Sequence, residues 1–552
     1  MATADVPPLA GAPTVPAWLR ALAARHGERE LIVADGRRLT YAEAEARSAR
    51  LARSLLAAGA GKGTRVALCF PNGPDWVLGW LAAARIGAIA VPVNTFFKAR
   101  ETAWLLRHAD VSILLTAARF LGHDTLAQLE EAAPELAGAR AGALRAPSLP
   151  YLRAVWSWGG AERSWAQAGE ALAEGPGDPA LDDAFLRAVE AQVTPADPML
   201  ILYSSGSTAD PKGAVHSQGG VLRHSHHLSQ IRGVRADDRI WSPMPFFWVG
   251  GLVFALLGAM HHGACLLAEA SFEPGRTLAL LEQERATAAV GWPHFGKALL
   301  EHPDHPARDL SSLRAGNLPG LLPPDVCPVD PELRPNGLGM TETCGPHTYT
   351  GEGALPDSLR GAFGPAVPGV EHRIVDPESG ALLPAGASGE ICVRGPSLMQ
   401  GLYKLEREQV FDRDGFYHTG DVGRFTPDGV LYFEGRRGDM IKSGGANVTP
   451  SEVESVIAGF AEVKEAYVVG VADARRGENV AAAVVPEAGA GITPDEVRSR
   501  VKAQLAAYKV PRHVVLAAHD ELPFTATGKI DKRRLRGWLE ERLASVHSRS
   551  QS

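Results

Sequence analysis

The sequence predicts a multidomain α/β protein, with a large N-terminal domain over residues 1–436 and a small, mobile α+β C-terminal domain over residues 437–552. Within the large domain, sheet subdomains of βαβ type precede a small antiparallel β subdomain, residues 361–436. Three observations support this organisation: the length, an early alternation of strand and helix patterns, and a later change to short strands between turns. The chain has 552 residues, whereas single hydrophobic cores rarely serve more than roughly 250–300 residues.

The first third of the chain alternates strand-like and helix-like segments. Thr40 and Glu43 form a capping box that opens a helix, and Gly59 closes it. Further segments follow, with helices predicted over 75–85 and 100–108 and strands over 65–70, 88–92 and 111–116. This alternation favours a parallel sheet covered by helices. Residues 147–183 are rich in Ala, Gly, Pro and Trp with weak periodicity, so we expect an irregular surface excursion there.

The pattern changes after about residue 361. Short alternating runs between Gly and Pro turns, such as 390–393 and 430–433, predict an antiparallel subdomain. Beyond a boundary placed near Arg437 and Gly438, Thr449 and Thr493 each precede a proline and begin a helix. Strands are expected at 466–471, 480–485 and 514–517. The apolar run 249–260 is too short to span a bilayer and is interpreted as a core helix.

Composition excludes several classes of protein. The formal net charge of −7 disfavours a nucleic-acid partner or an anionic membrane surface. Five scattered cysteines without a C-x-x-C pair disfavour a disulfide framework and indicate a reducing compartment, so we expect a cytoplasmic protein. No secretory signal is evident in the first 30 residues, and no stable membrane anchor is expected. The sequence leaves a homodimer open.

Residues 203–213 concentrate phosphate-binding groups directly after an apolar run. Hydroxyls and backbone N–H groups can surround a triphosphate, glycine permits close approach, and lysine supplies positive charge. The Walker A spacing is absent, and a flexible Ser/Gly turn is an equally good interpretation of this segment alone. The candidate phosphate-binding residues are Ser204, Ser205, Gly206, Ser207, Thr208 and Lys212.

Three further segments carry candidate polar groups. Residues 337–342 place Thr341 and Glu342 after a glycine turn, where a carboxylate suits Mg²⁺. Asp421 suits bonding to ribose hydroxyls, and Arg436 suits a phosphate or ribose contact. Lys529 lies in a Pro/Thr/Gly segment, where it can neutralise charge on a carboxylate or phosphate. Taken alone, Thr341-Glu342 is equally well explained as a helix start. Asp421 and Arg436 are better explained by a turn or a surface salt bridge, and Lys529 by a solvated loop lysine.

Together, in this order, the four segments resemble the adenylate-forming superfamily, which includes acyl-CoA synthetases, peptide-synthetase adenylation domains and beetle-type luciferases. The resemblance extends from about Leu39 to Leu535. Further matches are Pro71-Asn72, Gly87-Ala88, Gly389-Glu390, residues 393–396 and residues 509–511. The resemblance implies an AMP-forming acid–thiol ligase that uses ATP, Mg²⁺ and CoA with a small-molecule carboxylic acid.

The resemblance also implies roles for individual residues. The segment 204–212 would order the β- and γ-phosphates, Thr341 would contact the α-phosphate, and Glu342 would bind Mg²⁺. Asp421 would hold the ribose with Arg436 nearby, and Lys529 would bridge the carboxylate and the α-phosphate. Gly438 would be the hinge, and residues 442–445, beginning with Lys442, would line the path of the thiol. Other nucleotide-binding candidates are Gly316, Asn317, Gly337, Leu338 and Gly339.

The resemblance places the acyl pocket on two glycine-containing segments. These are mainly apolar and aromatic, as expected for hydrocarbon or aromatic rings, although the tryptophans are equally explained by core packing. Because no aspartate lies within 243–253 to pair with an ammonium group, an amino-acid substrate is disfavoured. The pocket candidates are Trp248, Val249, Gly250, Gly251, Gly291 and Trp292.

Three functions remain open at this point. The first is a CoA ligase for an apolar fatty or aryl acid, favoured because no carrier domain follows Leu535. The second is an adenylating enzyme that loads a separate carrier protein, and the third is a non-catalytic nucleotide-binding relative, which Lys529 and Glu342 disfavour.

The chain departs from the family pattern at Ala209, Leu338, Gly438 and Trp248, where relatives often carry glycine, an aromatic, a charged residue and histidine. Two groups of residues invite a ligand interpretation that the sequence does not favour. A basic group that could attract CoA phosphates comprises Lys509, Arg512, Lys532, Arg533 and Arg534, although a solvated basic face is more common. The histidines His224, His226 and His227 suggest a metal, but a structural role is favoured because no fourth ligand is evident.

Overall fold

The computed structural model describes residues 9, 11–160, 163–204, 211–436, 441–448, 450–524 and 530–549. The chain divides into two compact units. Unit 1 comprises residues 1–95, 103–203 and 213–435, and unit 2 comprises residues 96–102, 204–212 and 436–552. Residues Arg437 and Gly438, where the sequence places the domain boundary, lie outside the described residues.

The strands are numbered in chain order. They are β1 Glu30–Ala34, β2 Arg37–Thr40, β3 Arg65–Cys69, β4 Ile89–Pro92, β5 Ile113–Ala117, β6 Arg119–Phe120, β7 His123–Asp124, β8 Ala154–Trp158, β9 Gln167–Ala168, β10 Pro198–Ser204, β11 Lys212–Ser217, β12 Arg239–Trp241, β13 Cys265–Ala268, β14 Ala288–Ala289, β15 Ala315–Gly316, β16 Gly339–Met340, β17 Gly345–Pro346, β18 Glu371–Val375, β19 Gly389–Arg394, β20 Gly401–Leu402, β21 Tyr417–Phe425, β22 Leu431–Arg436, β23 Ile441–Ser443, β24 Ala446–Val448, β25 Val463–Asp473, β26 Gly477–Pro486 and β27 His513–Leu516.

The α-helices are numbered in the same way. They are α1 Val15–His26, α2 Tyr41–Ala57, α3 Pro74–Arg85, α4 Ala99–His108, α5 Thr125–Ala132, α6 Gly169–Glu174, α7 Asp183–Glu190, α8 Gln218–Ile231, α9 Gly258–Met260, α10 Pro274–Gln283, α11 Pro293–Leu300, α12 Arg407–Val410, α13 Pro450–Ala458, α14 Pro494–Gln504 and α15 Lys532–Arg549. The helix starts predicted from capping boxes are confirmed at Thr40 and Thr493, where the side-chain and backbone hydrogen bonds of the box are both present.

Two sheets form the body of unit 1. The larger has eight strands in the order β20-β11-β10-β4-β3-β5-β8-β9. The six strands from β10 to β9 in this order are parallel to their neighbours. The second has six strands in the order β15-β14-β12-β13-β1-β2, parallel except for β1 with β2. The predicted α/β fold class is confirmed. Parallel strands that are buried on both faces must be covered by helices on both sides of the sheet.

The antiparallel subdomain is also confirmed. It has four strands in the order β18-β19-β21-β22, and its apolar residues pack in one cluster with Leu228, Leu338 and Val367. In unit 2, β24, β23, β26 and β25 form an antiparallel sheet, and β27 adds to β26 in parallel. Helices α13 and α14 pack their apolar residues on one face of this sheet.

The prediction of an irregular excursion over 147–183 is wrong. Strand β8 pairs in parallel with β5, with Leu115 opposite Trp156, and Ala154 and Val155 are buried. Helix α6 follows in the same segment. The flanking Ala, Gly and Pro residues masked a five-residue strand, which is recognisable only because its partner β5 supplies the hydrogen bonds.

The apolar run 249–260 is a buried helix, as predicted, but most of it is wound as a π-helix, Gly250–Leu257, before α9 begins. π-Turns are rare and often occur at functional sites. Every helix that the described residues form is too short or too polar to cross a bilayer.

Lys509 is buried in unit 2 and does not belong to a solvated basic group. Its side chain is 2% exposed, and its Nζ donates to Glu101 Oε1 at 2.9 Å and to Glu452 Oε1 at 2.8 Å. Burial alone would lower the pKa of Lys509, but Tyr508 and the two carboxylates raise it above its ordinary value. The expectation that Lys509 could attract CoA phosphates is therefore wrong, since its three donors are directed into the protein.

We expect Lys509→Met to lower the free energy of unfolding by about 3–5 kcal/mol, because it leaves two carboxylates buried without their cation. Urea denaturation followed by circular dichroism measures this change. The matched control is Lys464→Met on β25, where the side chain is exposed and a change within about 0.5 kcal/mol is expected. Equal losses in the two variants would contradict this account of the ion pair.

Candidate active site

Strands β10 and β11 flank the candidate phosphate segment. Ser204 ends β10 and Lys212 begins β11, while Ser205, Gly206, Ser207 and Thr208 lie outside the described residues. The preceding Tyr203 is held by a 2.7 Å hydrogen bond between its hydroxyl and His108 Nδ1 and by edge-on contact with Trp104. The two ends of the segment are thus fixed by strands of the eight-stranded sheet.

Thr341 and Glu342 lie in a tight turn between β16 and β17. The hairpin closes so narrowly that a Cβ on Gly339 would lie 2.5 Å from the Gly345 carbonyl carbon. Cys344 and Gly345 both have positive φ, +61° and +112°, and Thr343 Oγ1 donates to the Gly345 carbonyl at 2.7 Å. Two residues in a restricted backbone region give the turn one conformation.

A buried imidazole connects this turn to β11. His216 Nε2–H donates to the Thr341 carbonyl at 2.8 Å, and burial lowers the pKa of His216 to about 4. The Met399 N–H donates to the Glu342 carbonyl at 2.8 Å. His216 therefore positions the two residues predicted to contact the α-phosphate and the metal, a role that no signal in the sequence identified.

The carboxylate of Glu342 fits a magnesium ion. The side chain of Glu342 is 8% exposed, and no group of three or more His, Cys, Asp or Glu side chains placed to hold a metal occurs among the described residues. Mg²⁺ in nucleotide sites is commonly held by one or two carboxylates, with substrate phosphates and water as its other ligands. A single buried carboxylate next to Thr341, the residue predicted to contact the α-phosphate, matches that donor set.

Asp421 lies on β21 and is 2% exposed. Its N–H donates to Thr419 Oγ1 at 3.0 Å, and that hydroxyl donates to the Ile391 carbonyl at 2.7 Å. The neighbouring Gly420 N–H donates to Glu390 Oε1 at 3.2 Å. Arg436 ends β22, the strand next to β21 in the sheet, so both candidate ribose ligands come from adjacent strands.

The structure brings together residues that the sequence assigned to two different roles. Gly291 N–H donates to Asn317 Oδ1 at 2.9 Å, and the Asn317 N–H donates to the Ala289 carbonyl at 3.2 Å. A Cβ on Gly316 would lie 1.9 Å from the Ala289 carbonyl oxygen, so β14 and β15 approach here only because residue 316 is glycine. The pocket candidate Gly291 and the nucleotide candidates Gly316 and Asn317 therefore form one local structure.

Trp248 and Trp292 are in direct contact. Their ring centroids are 5.6 Å apart at an interplanar angle of 67°, and both side chains are half-buried. Phe247 contacts Trp248 and Phe295 contacts Trp292, which extends the aromatic surface. Val249 precedes the π-helix, whose first residues are Gly250 and Gly251. Each tryptophan side chain is therefore partly accessible, and Trp292 also packs against the main apolar core of unit 1.

Two nucleotide candidates have mainly structural surroundings. Leu338 is buried and packs in the apolar cluster of the antiparallel subdomain. A Cβ on Gly337 would lie 2.6 Å from the Thr348 carbonyl oxygen. These residues support the hairpin that carries Thr341 and Glu342.

In unit 2, Lys442 lies at an exposed position of β23, and its backbone N–H donates to Glu478 Oε2 at 2.8 Å. Gly444 and Gly445 follow with positive φ, +59° and +85°, and turn the chain into β24. Lys529 and the predicted hinge Gly438 lie outside the described residues.

Two of the three histidines of α8 bind backbone carbonyl groups of unit 1. Burial lowers the pKa of His224 to about 3, and this histidine hydrogen-bonds to the Pro346 carbonyl. His227 Nδ1–H donates to the Pro368 carbonyl at 3.1 Å. His226 contacts the rings of His261 and His262. With His216, this helix and the strand before it hold three backbone carbonyls around the hairpin.

Comparison with known proteins identifies the family of the chain. The family described as AMP-binding enzyme matches residues 19–403, and the family described as AMP-binding enzyme C-terminal domain matches residues 452–529. The chain belongs to the AMP-binding enzyme family. The predicted membership of the adenylate-forming superfamily, and with it an AMP-forming acid–thiol ligase, is confirmed.

Individual relatives cover nearly the whole chain. The mitochondrial medium-chain acyl-CoA ligase of Rattus norvegicus is 32% identical over 548 residues, 96% of this chain and 88% of the relative. The indoleacetate–CoA ligase of Aromatoleum aromaticum is 33% identical over 505 residues, 91% and 93% of the two chains. The solved o-succinylbenzoate CoA synthetase of Bacillus subtilis has a TM-score of 0.75 at 25% identity, over 95% of this chain and 98% of its own.

The buried histidines predict a specific loss of stability in acid. Burial lowers the pKa of His216 to about 4 from an ordinary value of 6.5, so as the pH falls below about 6.5 the unfolded chain takes up a proton before the folded chain does. The stability is therefore complete above about pH 6.5 and is lost towards pH 4. At about pH 5 the loss from one such histidine is about 2 kcal/mol.

We expect the fall in unfolding free energy between about pH 7.5 and pH 5 to be about 2 kcal/mol smaller in His216→Gln than in the unmodified protein. Urea denaturation at both pH values measures it. His123→Gln, at an exposed position of β7, is the control. Indistinguishable pH dependence in the two variants would show that His216 does not titrate in this way.

Proposed function

We propose that the protein is an ATP-dependent CoA ligase for an apolar carboxylic acid, fatty or aryl. The observation that carries the proposal is the contact of Trp248 with Trp292. Trp248 lies just before the π-helix that begins with Gly250 and Gly251, and its segment, residues 243–253, contains no carboxylate. Such a wall favours hydrocarbon or rings and offers no partner to an ammonium group. The relatives named for medium-chain acids and for indoleacetate support the same substrate class.

The proposed roles are those that the resemblance to the adenylate-forming superfamily implies. Residues 204–212 order the β- and γ-phosphates, Thr341 contacts the α-phosphate, and Asp421 with Arg436 holds the ribose. Glu342 holds Mg²⁺, which when bound supplies positive charge to the phosphates. Gly438 is the hinge, and Lys442 lies on the segment that lines the path of the thiol.

The physical requirement is that two anions meet. A carboxylate is a poor electrophile, and attack on the α-phosphorus of ATP converts it to a mixed anhydride with release of pyrophosphate. Repulsion between the acid and the triphosphate must be offset by positive groups placed before the reaction, because preorganised charge does not have to rearrange as the reaction proceeds. Lys529 supplies this charge in the first step, and the thiol of CoA then displaces AMP from the acyl group.

We expect Lys529→Ala to abolish formation of the acyl-adenylate while sparing thioester formation from supplied acyl-adenylate, because pyrophosphate has left by the second step and the thiol attacks a carbonyl carbon, so no carboxylate has to approach a triphosphate. Pyrophosphate release measures the first step, and mass detection of the acyl-CoA measures the second. Lys464→Met serves as the control for loss of an unrelated lysine. Equal loss of both steps would refute the role of Lys529.

A panel of straight-chain and aryl acids with ATP, Mg²⁺ and CoA tests the function itself. If no acid in the panel raises pyrophosphate release above background, the protein is not an adenylating enzyme for these acids. A carrier protein in place of CoA separates the two possible acceptors, and CoA is the one expected to yield a thioester.

We expect Trp248→Ala to shift the preferred acid towards longer chains, because removal of the indole opens the pocket wall next to Trp292. The ratio of kcat/KM between a longer and a shorter acid should rise by about tenfold, since one or two methylenes are worth roughly 1–3 kcal/mol. Phe411→Leu, whose aromatic contact is with Tyr417 in a separate apolar cluster, is the control. Unchanged selectivity in Trp248→Ala would count against a pocket role.

A further inference from the structure

The segment that leads to Trp248 is buried but is not part of a sheet. Strand β12 ends at Trp241 and the π-helix begins at Gly250, and between them Met244 and Phe246 are buried. Buried backbone N–H and C=O groups must find partners, because an unpaired group forfeits its hydrogen bond to water. The partners of this segment therefore determine where it lies.

One side chain, that of Asn72, satisfies two of these groups. Its Nδ2 donates to the Met244 carbonyl at 2.9 Å, and its Oδ1 accepts from the Phe246 N–H at 2.9 Å. In an extended segment, the carbonyl of one residue and the N–H of the second residue after it point to the same side. A carboxamide, with one donor and one acceptor, pairs with both as a neighbouring strand would.

Asn72 is itself fixed to the rigid body of unit 1. It follows β3, at the centre of the eight-stranded sheet, and precedes α3 by one residue. Trp76 of α3 packs edge-on against Phe246, with ring centroids 5.3 Å apart. Asn72 is 9% exposed, so most of its surface is in contact with protein.

Gly251 packs closely against the carbonyl groups of the same segment. A Cβ on Gly251 would lie 2.2 Å from the Pro245 carbonyl oxygen and 2.4 Å from the Met244 carbonyl oxygen. The Pro245 carbonyl also accepts from the Trp248 N–H at 3.1 Å. A shift of Met244 and Pro245 would therefore be transmitted directly to Trp248 and to the first turn of the π-helix.

We propose that Asn72 is a positioning residue that determines which acids the enzyme accepts, by fixing the segment 244–246 and through it the indole of Trp248. Asn72 acts through the backbone and does not contact the acid. The inference rests on the proposed function of the Trp248 and Trp292 surface. It assigns part of the substrate selectivity to a residue that lies 176 positions before Trp248 in the sequence.

The test compares Asn72→Ala, which removes both hydrogen bonds, with Asn72→Asp, which keeps the acceptor but cannot donate to Met244. In each variant we expect the ratio of kcat/KM between a longer and a shorter acid to change by about tenfold or more, because small displacements of a binding surface are costly. The KM for ATP should stay within about twofold, since the nucleotide contacts are unchanged.

Gln218→Ala is the matched control. Gln218 is also a buried carboxamide that holds two backbone groups, accepting from the Val15 N–H at 2.8 Å and donating to the Ala84 carbonyl at 3.0 Å. It does so away from the segment 244–246. Loss of these two hydrogen bonds is expected to lower the free energy of unfolding and to leave the ratio of kcat/KM between the longer and the shorter acid unchanged.

Three outcomes would overturn the inference. One is an unchanged acid ratio in folded Asn72 variants, and another is an equal change in Gln218→Ala. The third is failure of both Asn72 variants to fold while Gln218→Ala folds, which would make Asn72 a structural residue only. If the unmodified protein releases no pyrophosphate with any acid, the proposed function fails instead, and the two failures are distinguishable.

Discussion

The candidate site depends on one constraint, which is that buried backbone groups in loops must be bound by side chains. Loops that carry functional groups leave the sheet, so their N–H and C=O groups lose strand partners without gaining water. Here three side chains supply the missing partners. His216 binds the Thr341 carbonyl, Asn317 binds the Gly291 N–H, and Asn72 binds both Met244 and Phe246.

Each of these side chains lies on a strand or within three residues of the end of one. His216 lies on β11, Asn317 follows β15, and Asn72 follows β3. A strand of a buried sheet is among the least mobile elements of a protein, so groups fixed to its end inherit that rigidity. The loops at the candidate site are therefore anchored to strands of two sheets.

Glycine provides the complementary constraint, which is close approach. Gly316 lies against Ala289, Gly339 against Gly345, and Gly251 against Pro245, each at a distance that no side chain would allow. These contacts bring polypeptide segments together where the aromatic surface of Trp248 and Trp292 and the hairpin of Thr341 are formed. The apolar surface and the polar hairpin are thus both built on backbone packing rather than on side-chain bulk.

Much of the architecture could be predicted from local patterns, because capping, turn chemistry and strand alternation act over a few residues. The capping boxes at Thr40 and Thr493 and the antiparallel subdomain are examples. Strand β8 could not, because its short run gains strand character only from pairing with β5. The burial of Lys509 was also missed, since the pairing of a lysine with Glu101 leaves no local trace in the sequence.

The sequence by itself determined the family, the fold class and the order of the segments that carry polar groups, because those properties reside in short motifs of fixed composition. Only the tertiary structure decided which side chains hold those segments. His216 and Thr341 are separated by 125 residues, and Asn72 and Met244 by 172. Such pairs follow no periodicity, since their geometry is set by the packing of whole sheets and helices between them.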